Sequence, residues 1–236
     1  MLFHTIIQDG YWLVDQNLLH DKSAAQYEAH LTKLIADWRE TNAAYLSLLM
    51  VEQQEKQLIA KGFQKVSRIV EYTRDLQQLE GWKLRFSRET LASGQLSEAG
   101  FMDLYERCRS GSLNKNKRQP IAQAMQSIQD ELGKSWRSSC MYFLEDEKPV
   151  GISIPHIESG TSDEGRMFYF GVIPERRGEG IGAEIHRETL QVLANMGASY
   201  YVGSTDAVNE PMIQIMKKNG CTLRQQKGIY HLNRTR

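Results

Sequence analysis

The sequence predicts a mixed α/β protein. Strand-like, helix-like and turn signals alternate along the whole 236-residue chain, the pattern of mixed α/β chains. A second observation is a repeated order: near each end of the chain run a strand, a helix, a strand, a helix, a Gly-Phe or Gly-Cys step and a strand.

Residues 11–15 (YWLVD) read as a strand, and residues 22–41 as a helix, because Tyr27, Leu31, Leu34, Ile35 and Trp38 recur at helical spacing. AYLSLLMV at 44–51 follows as a buried strand, a short helix stops at Gly62, and VSRIVEY at 66–72 forms another strand. Residues 76–82 read as the connector between an N-terminal unit, 1–75, and a second domain, 83–236, which begins with KLRFSRE. Ser97 caps a helix presenting Phe101, Leu104, Tyr105 and Cys108, and Pro120 opens one presenting Ile121, Met125, Ile128 and Leu132. Lys115, Lys117 and Arg118 in the loop between them read as solvated. Residues 140–158 form a hairpin around an acidic turn at 145–148, and MFYFGVIP at 167–174 is a further strand. Ile181, Ile185, Val192 and Met196 share the core face of the next helix, which Gly197 stops. SYYVGST, a helix from Asn209 to Gly220 and the strand KGIYHL complete the chain.

Composition excludes several function classes. Cys108, Cys140 and Cys221 are far apart without CxxC spacing, so neither a zinc site nor a disulfide framework is indicated, which suits a reducing cytoplasm. Lysine plus arginine equals aspartate plus glutamate at 29 each, leaving no global field for nucleic acid. The N-terminus MLFHTIIQDG has no basic leader and no apolar run of membrane-spanning length after it. No metal and no membrane partner is expected.

PERRGEGIGAEI at 174–185 sets Gly178, Gly180 and Gly182 directly before an amphipathic helix. Glycine costs a helix about 1 kcal/mol relative to alanine, so such a cluster suggests backbone brought close to something, the plainer reading being a tight turn. Helix N-termini carry unpaired N–H groups and partial positive charge, which makes pyrophosphate the natural guest. A Walker A loop is excluded because no lysine follows the glycines. Gly178, Gly180 and Ala183 formally match a dinucleotide fingerprint, but PERR separates the strand from the first glycine, and too little chain remains after Asp206 for a doubly wound sheet.

The run V-x-P-E-x-R-x-x-G-I-G at 172–182 resembles motif A of the GCN5-related N-acetyltransferases, whose core [QR]-x-x-G-x-[GA] falls on Arg177, Gly180 and Gly182. Asn209 and the Gly220-Cys221 step match the family's next landmarks. The resemblance covers about residues 80–236 and implies a mixed central sheet flanked by helices. Residues 1–75 resemble an incomplete second copy, in which QNLLHDK at 16–22 replaces the glycine-bearing turn and the phosphate loop is missing. That copy is expected to pack on the second domain or on another subunit, a homodimer, because its strands are too few for a protected sheet.

Acetyl-CoA is the cofactor so implied. Its pyrophosphate would lie on the backbone of Arg177, Gly178, Glu179, Gly180, Ile181 and Gly182, and its pantetheine arm along Phe170 and Val172, with Asn209 holding it from the next strand. The reaction so implied is direct acetyl transfer to a primary amine of a small molecule or protein. A lysine-like amine is only about 0.04% neutral at pH 7, a handicap of about 4.6 kcal/mol. Where ribosomal-protein acetyltransferases of the family carry a catalytic glutamate and tyrosine, this chain has Ser204 and Met216. Glu158 and Tyr169 are the substitute candidates, Tyr169 facing opposite Phe168 and Phe170 by strand alternation, while the lone His156 reads as structural. The departure at Ser204 and Met216 motivates an alternative, a catalytically silent acetyl-CoA-binding regulatory or scaffold protein.

Overall fold

The computed structural model describes residues 2–8, 10–16, 23–77, 79, 85–114 and 119–234. The chain contains β1 (Phe3–Gln8), β2 (Tyr11–Gln16), α1 (Ala24–Arg39), β3 (Tyr45–Val51), α2 (Glu55–Ala60), β4 (Gln64–Asp75) and β5 (Ser87–Thr90). It continues with α3 (Glu98–Arg109), α4 (Ile121–Leu132), the single turn α5 (Trp136–Ser139), β6 (Met141–Glu145), β7 (Lys148–Ile157) and β8 (Glu164–Val172). Last come α6 (Ile181–Asn195), β9 (Tyr200–Asp206), α7 (Glu210–Lys218) and β10 (Thr222–Asn233). Two compact units result, Met1–Glu71 with Gln225–Arg236, and Tyr72–Arg224. Among the described residues, no helix is long and apolar enough to cross a membrane.

In the first unit β2 runs antiparallel to β1 and parallel to β3, and β3 runs antiparallel to β10. KGIYHL, expected to close the second domain, therefore lies beside β3 of the first unit. The unit boundary falls at 71/72, and most of the connector read at 76–82 is outside the described residues. Period-two alternation turns Trp12, Val14, Leu46, Leu48, Met50 and Tyr230 to one face, where Tyr27, Leu31, Ile35 and Trp38 of α1 cover them. Ser23 and Gln26 start α1 with a reciprocal capping box, bonded at 3.3 and 3.0 Å. β1 was not legible as a strand because the adjacent Ile6 and Ile7 break alternation, and both are exposed.

In the second unit the strand order is β9-β8-β7-β6-β5. Asp146 and Glu147 take φ of 49° and 63°, the left-handed pair that closes the β6–β7 hairpin in two residues. Phe101, Leu104, Tyr105 and Cys108 of α3 and Met125 and Ile128 of α4 cover one sheet face with Ile152 and Ile154. Ile181 and Ile185 of α6 meet Val150 and Val172 on the other.

Two details differ from sequence expectation. β7 and β8 pair at Ser153↔Phe170 and then at Pro155↔Met167, so β8 spends one more residue than β7. This bulge puts Phe168 and Tyr169 against the same α3–α4 layer, where strict alternation would oppose them. In α6 the buried face continues through His186, Thr189, Leu190 and Leu193, while Met196, expected in the core, is 42% exposed.

Candidate active site

The glycine turn divides into two kinds of position. Gly178 and Gly180 have φ of +83° and +82°, and nothing lies within 4 Å of a built Cβ, so the backbone conformation calls for glycine and the space before it is open. Gly182 is different: a Cβ there would stand 2.8 Å from Ile215 Cδ1, so its absence lets α6 approach α7. Among the described residues no backbone acceptor is found for the N–H groups of 178–182, which span the turn and the first residues of α6. Arg177 is used otherwise. Its N–H donates to Pro174 O at 3.3 Å. Its guanidinium donates to Val172 O at 3.0 Å and Cys108 O at 2.9 Å, tying the turn to β8 and α3. The Glu179 carboxylate is neutralised by Arg176 at 2.9 Å.

Next to this turn the sheet opens. β8 and β9 are parallel but, among the described residues, pair only at Glu164↔Tyr200 and Gly165↔Tyr201. Among the described residues, 167–172 thus leave one backbone edge without a strand partner. The Phe170 and Val172 side chains point to the α6 layer, Phe170 meeting His186 edge-on at 5.7 Å. The open edge includes the bulge and leads along the chain toward the donors at 178–182. Asn209 stands at the start of α7, its Nδ2 donating to Thr205 Oγ1 at 2.9 Å and to Asn114 Oδ1 at 3.2 Å.

Behind the opening lies a polar network that sequence reasoning missed. Asn219 Nδ2 donates to His186 Nδ1 at 3.0 Å, which leaves the ring proton on Nε2, 3.3 Å from the Tyr201 hydroxyl. Burial, with Arg74 nearby, pushes the His186 pKa down to about 3, so the ring is neutral. A histidine inside a helical stripe gives no sign of burial until the helix packs.

Glu158 and Tyr169 are not brought together. Tyr169 lies under α3 with its ring 4.3 Å from Tyr105, and burial pushes its hydroxyl pKa far up. Glu158, just past β7, is 3.1 Å from Arg166 Nε and 3.5 Å from His156 Nε2, which is also 3.2 Å from Glu131. Burial lowers the His156 pKa, but the two carboxylates outweigh it and hold the imidazole at about 9. Glu131, His156 and Glu158 offer ligand atoms within 4.8 Å of one another. Between these two carboxylates, and with Arg166 on Glu158, the imidazole is held in its protonated form. Burial raises all three thiols, Cys108, Cys140 and Cys221, to about 12, so none forms a thiolate at neutral pH. Ser204 is exposed on β9 and Met216 is fully buried in α7. Lys115, Lys117 and Arg118 lie outside the described residues.

Comparisons with known proteins bear on the fold and the family. The sequence model of the family described as "Acetyltransferase (GNAT) family" matches residues 100–221. N-alpha-acetyltransferase 30 of Schizosaccharomyces pombe is 26% identical over 102 residues, covering 42% of this chain and 68% of that protein. Among solved structures, a GCN5-related N-acetyltransferase from Sphaerobacter thermophilus superposes with a TM-score of 0.72 at 14% identity, covering 98% of this chain and 76% of that one. A tandem GNAT protein from the clavulanic acid biosynthesis pathway gives 0.56 at 13% identity, over 94% and 75%.

Proposed function

The chain belongs to the GNAT family of acetyltransferases, and from that premise we propose that it transfers acetyl from acetyl-CoA directly to the primary amine of a small molecule or protein. The observation that carries this reading is the parting of β8 from β9 beside the unpaired donors at 178–182. The donors suit the pyrophosphate, and the free edge of β8 suits the amide-bearing pantetheine arm. At the bulge the strand can offer an N–H that β7 does not use, which would hold the carbonyl oxygen as it gains charge. The amine nitrogen attacks the thioester carbon, the C–S bond breaks, and the proton lost by the amine balances the departing thiolate. Three thiols kept protonated argue against an acetyl-cysteine intermediate.

In this reading Glu158 accepts the proton of the amine. Glu158 is 3.1 Å from Arg166 Nε and 3.5 Å from His156 Nε2, and an acceptor that needs little help from a base suits such a site. An α-amino group with pKa about 7.8 is about 14% neutral at pH 7, a handicap of only about 1.2 kcal/mol. Free α-amines of peptides and amino acids therefore head the acceptor panel, a choice also supported by the kind of activity in the yeast relative's name. Tyr169 seats the bulge against α3, since a hydroxyl with so high a pKa does not protonate a thiolate. The first unit is read as a degenerate copy of the fold without a cofactor site, supported by its element order and by the likeness to a tandem protein.

Calorimetric titration with acetyl-CoA, with NADH as control, tests the cofactor. Gly180→Glu should abolish micromolar binding. Gly180→Ala, which shares the backbone strain at φ +82° without filling the space, should retain most of it. A CoA-release screen over peptides, amino acids, polyamines and aminoglycosides then tests the transfer. Product with none of them, despite tight binding, would favour the silent scaffold.

A further inference from the structure

Asn114, just after α3, reaches a turn that lies 95 residues further along the chain at Asn209. Its side-chain oxygen accepts from Thr205 Oγ1 at 3.0 Å, from the Asp206 N–H at 3.2 Å and from Asn209 Nδ2 at 3.2 Å. Thr205 Oγ1 in turn accepts the other Asn209 amide proton at 2.9 Å. A primary amide has two N–H donors, and a hydroxyl has one. Both Asn209 donors are thus committed, and so is the Thr205 proton. Turning the Asn209 amide over would set its oxygen against the Asn114 oxygen, so the cluster allows one orientation. It leaves Asn209 Oδ1 as an acceptor with no partner among the described residues.

We infer that Asn114 is a positioning residue for the acyl donor: with Thr205 it locks Asn209 so that Oδ1 can receive an N–H of the pantetheine arm. The inference rests on the proposed acetyl-CoA site and deepens it. It assigns the recognised group, an amide N–H and not a carbonyl, and it makes the stretch after α3 a contributor to donor binding. Asn114 touches no reacting atom. Its effect passes entirely through Asn209.

The test is calorimetric titration of the full chain with CoA and with 3′-phosphoadenosine 5′-diphosphate, which keeps the pyrophosphate end but lacks the arm. Asn114→Ala and Thr205→Val should each weaken CoA about five- to tenfold, the range of one or two lost hydrogen bonds, while the nucleotide binds as before. Asn114→Asp, which keeps the accepting oxygen, should stay within about twofold of wild type. Equal weakening of both ligands, no weakening of CoA, or an Asp variant as poor as the Ala variant would each overturn the inference. Wild type binding neither ligand would overturn the acetyl-CoA site as well. Wild-type binding that Asn114→Ala leaves intact overturns only the role of Asn114.

Discussion

Two parallel strand pairs in this molecule follow the same order of elements and end in opposite states. β2 and β3 pair over five consecutive positions, from Tyr11↔Tyr45 to Asp15↔Leu49, whereas β8 and β9 pair over two. The link from β2 to α1 contains no glycine, while the link from β8 to α6 contains Gly178 and Gly180, both with positive φ. A closed parallel pair satisfies its own backbone, and an open one keeps N–H and C=O groups for a guest. The same succession of elements serves as core in one unit and as a candidate binding site in the other.

The comparison implies that burial in the first unit serves stability and not cofactor binding. Leu48→Ala, which deletes a fully buried side chain from β3, should cost about 2–5 kcal/mol of stability in urea unfolding and leave acetyl-CoA affinity unchanged. A large loss of affinity at unchanged stability would break the division of labour between the units.

A smaller effect, with a sign that depends on pH, separates the two buried histidines of the second unit. His156 is held at about 9, above its unfolded value near 6.5, so its contribution is full below about pH 6.5 and is lost as pH rises through 9. Solvent around the half-exposed Glu131 limits that contribution to about 1–3 kcal/mol. His186 behaves oppositely. Its folded value of about 3 lies below the unfolded one, so its contribution is present above about pH 6.5 and is lost as pH falls. Urea midpoints at pH 5, 7 and 9.5 should show His156→Gln flattening the alkaline limb only. Flattening of the acid limb instead would contradict the assignment.

The smallest effect separates the glycines. Gly182→Ala should lose about 1 kcal/mol through the Ile215 contact, and Ile215→Val, which removes Cδ1, should restore most of it. Gly178→Ala should not be rescued this way, because its demand for glycine is conformational. Thermal unfolding of the single and double variants checks both.

Much of this fold was legible where residues act locally. The cap Ser97, the stripes of α1, α3 and α4 and the glycine stops follow from spacing and side-chain chemistry within a turn or two. Motif A and Asn209 likewise point, through residue types, to the proposed donor site. What stayed hidden depends on partners far along the chain. The extra residue in β8 is invisible to a period-two reading until β7 supplies the register, and with it goes the facing of Tyr169. His186 is buried because Asn219 and Tyr201 complete its hydrogen bonds, and Asn114 matters because of a turn 95 residues away. His156, read as a lone histidine, acquires its company only when α4 brings Glu131.

Hydrogen exchange measured with and without acetyl-CoA tests the contrast between the two strand pairs most directly. The account predicts slowed exchange at 178–182 and along 167–172, where β8 has no strand partner on one edge among the described residues, and no change along β2 and β3. Equal protection of both pairs, or protection that spares β8 and the glycine turn, would contradict it.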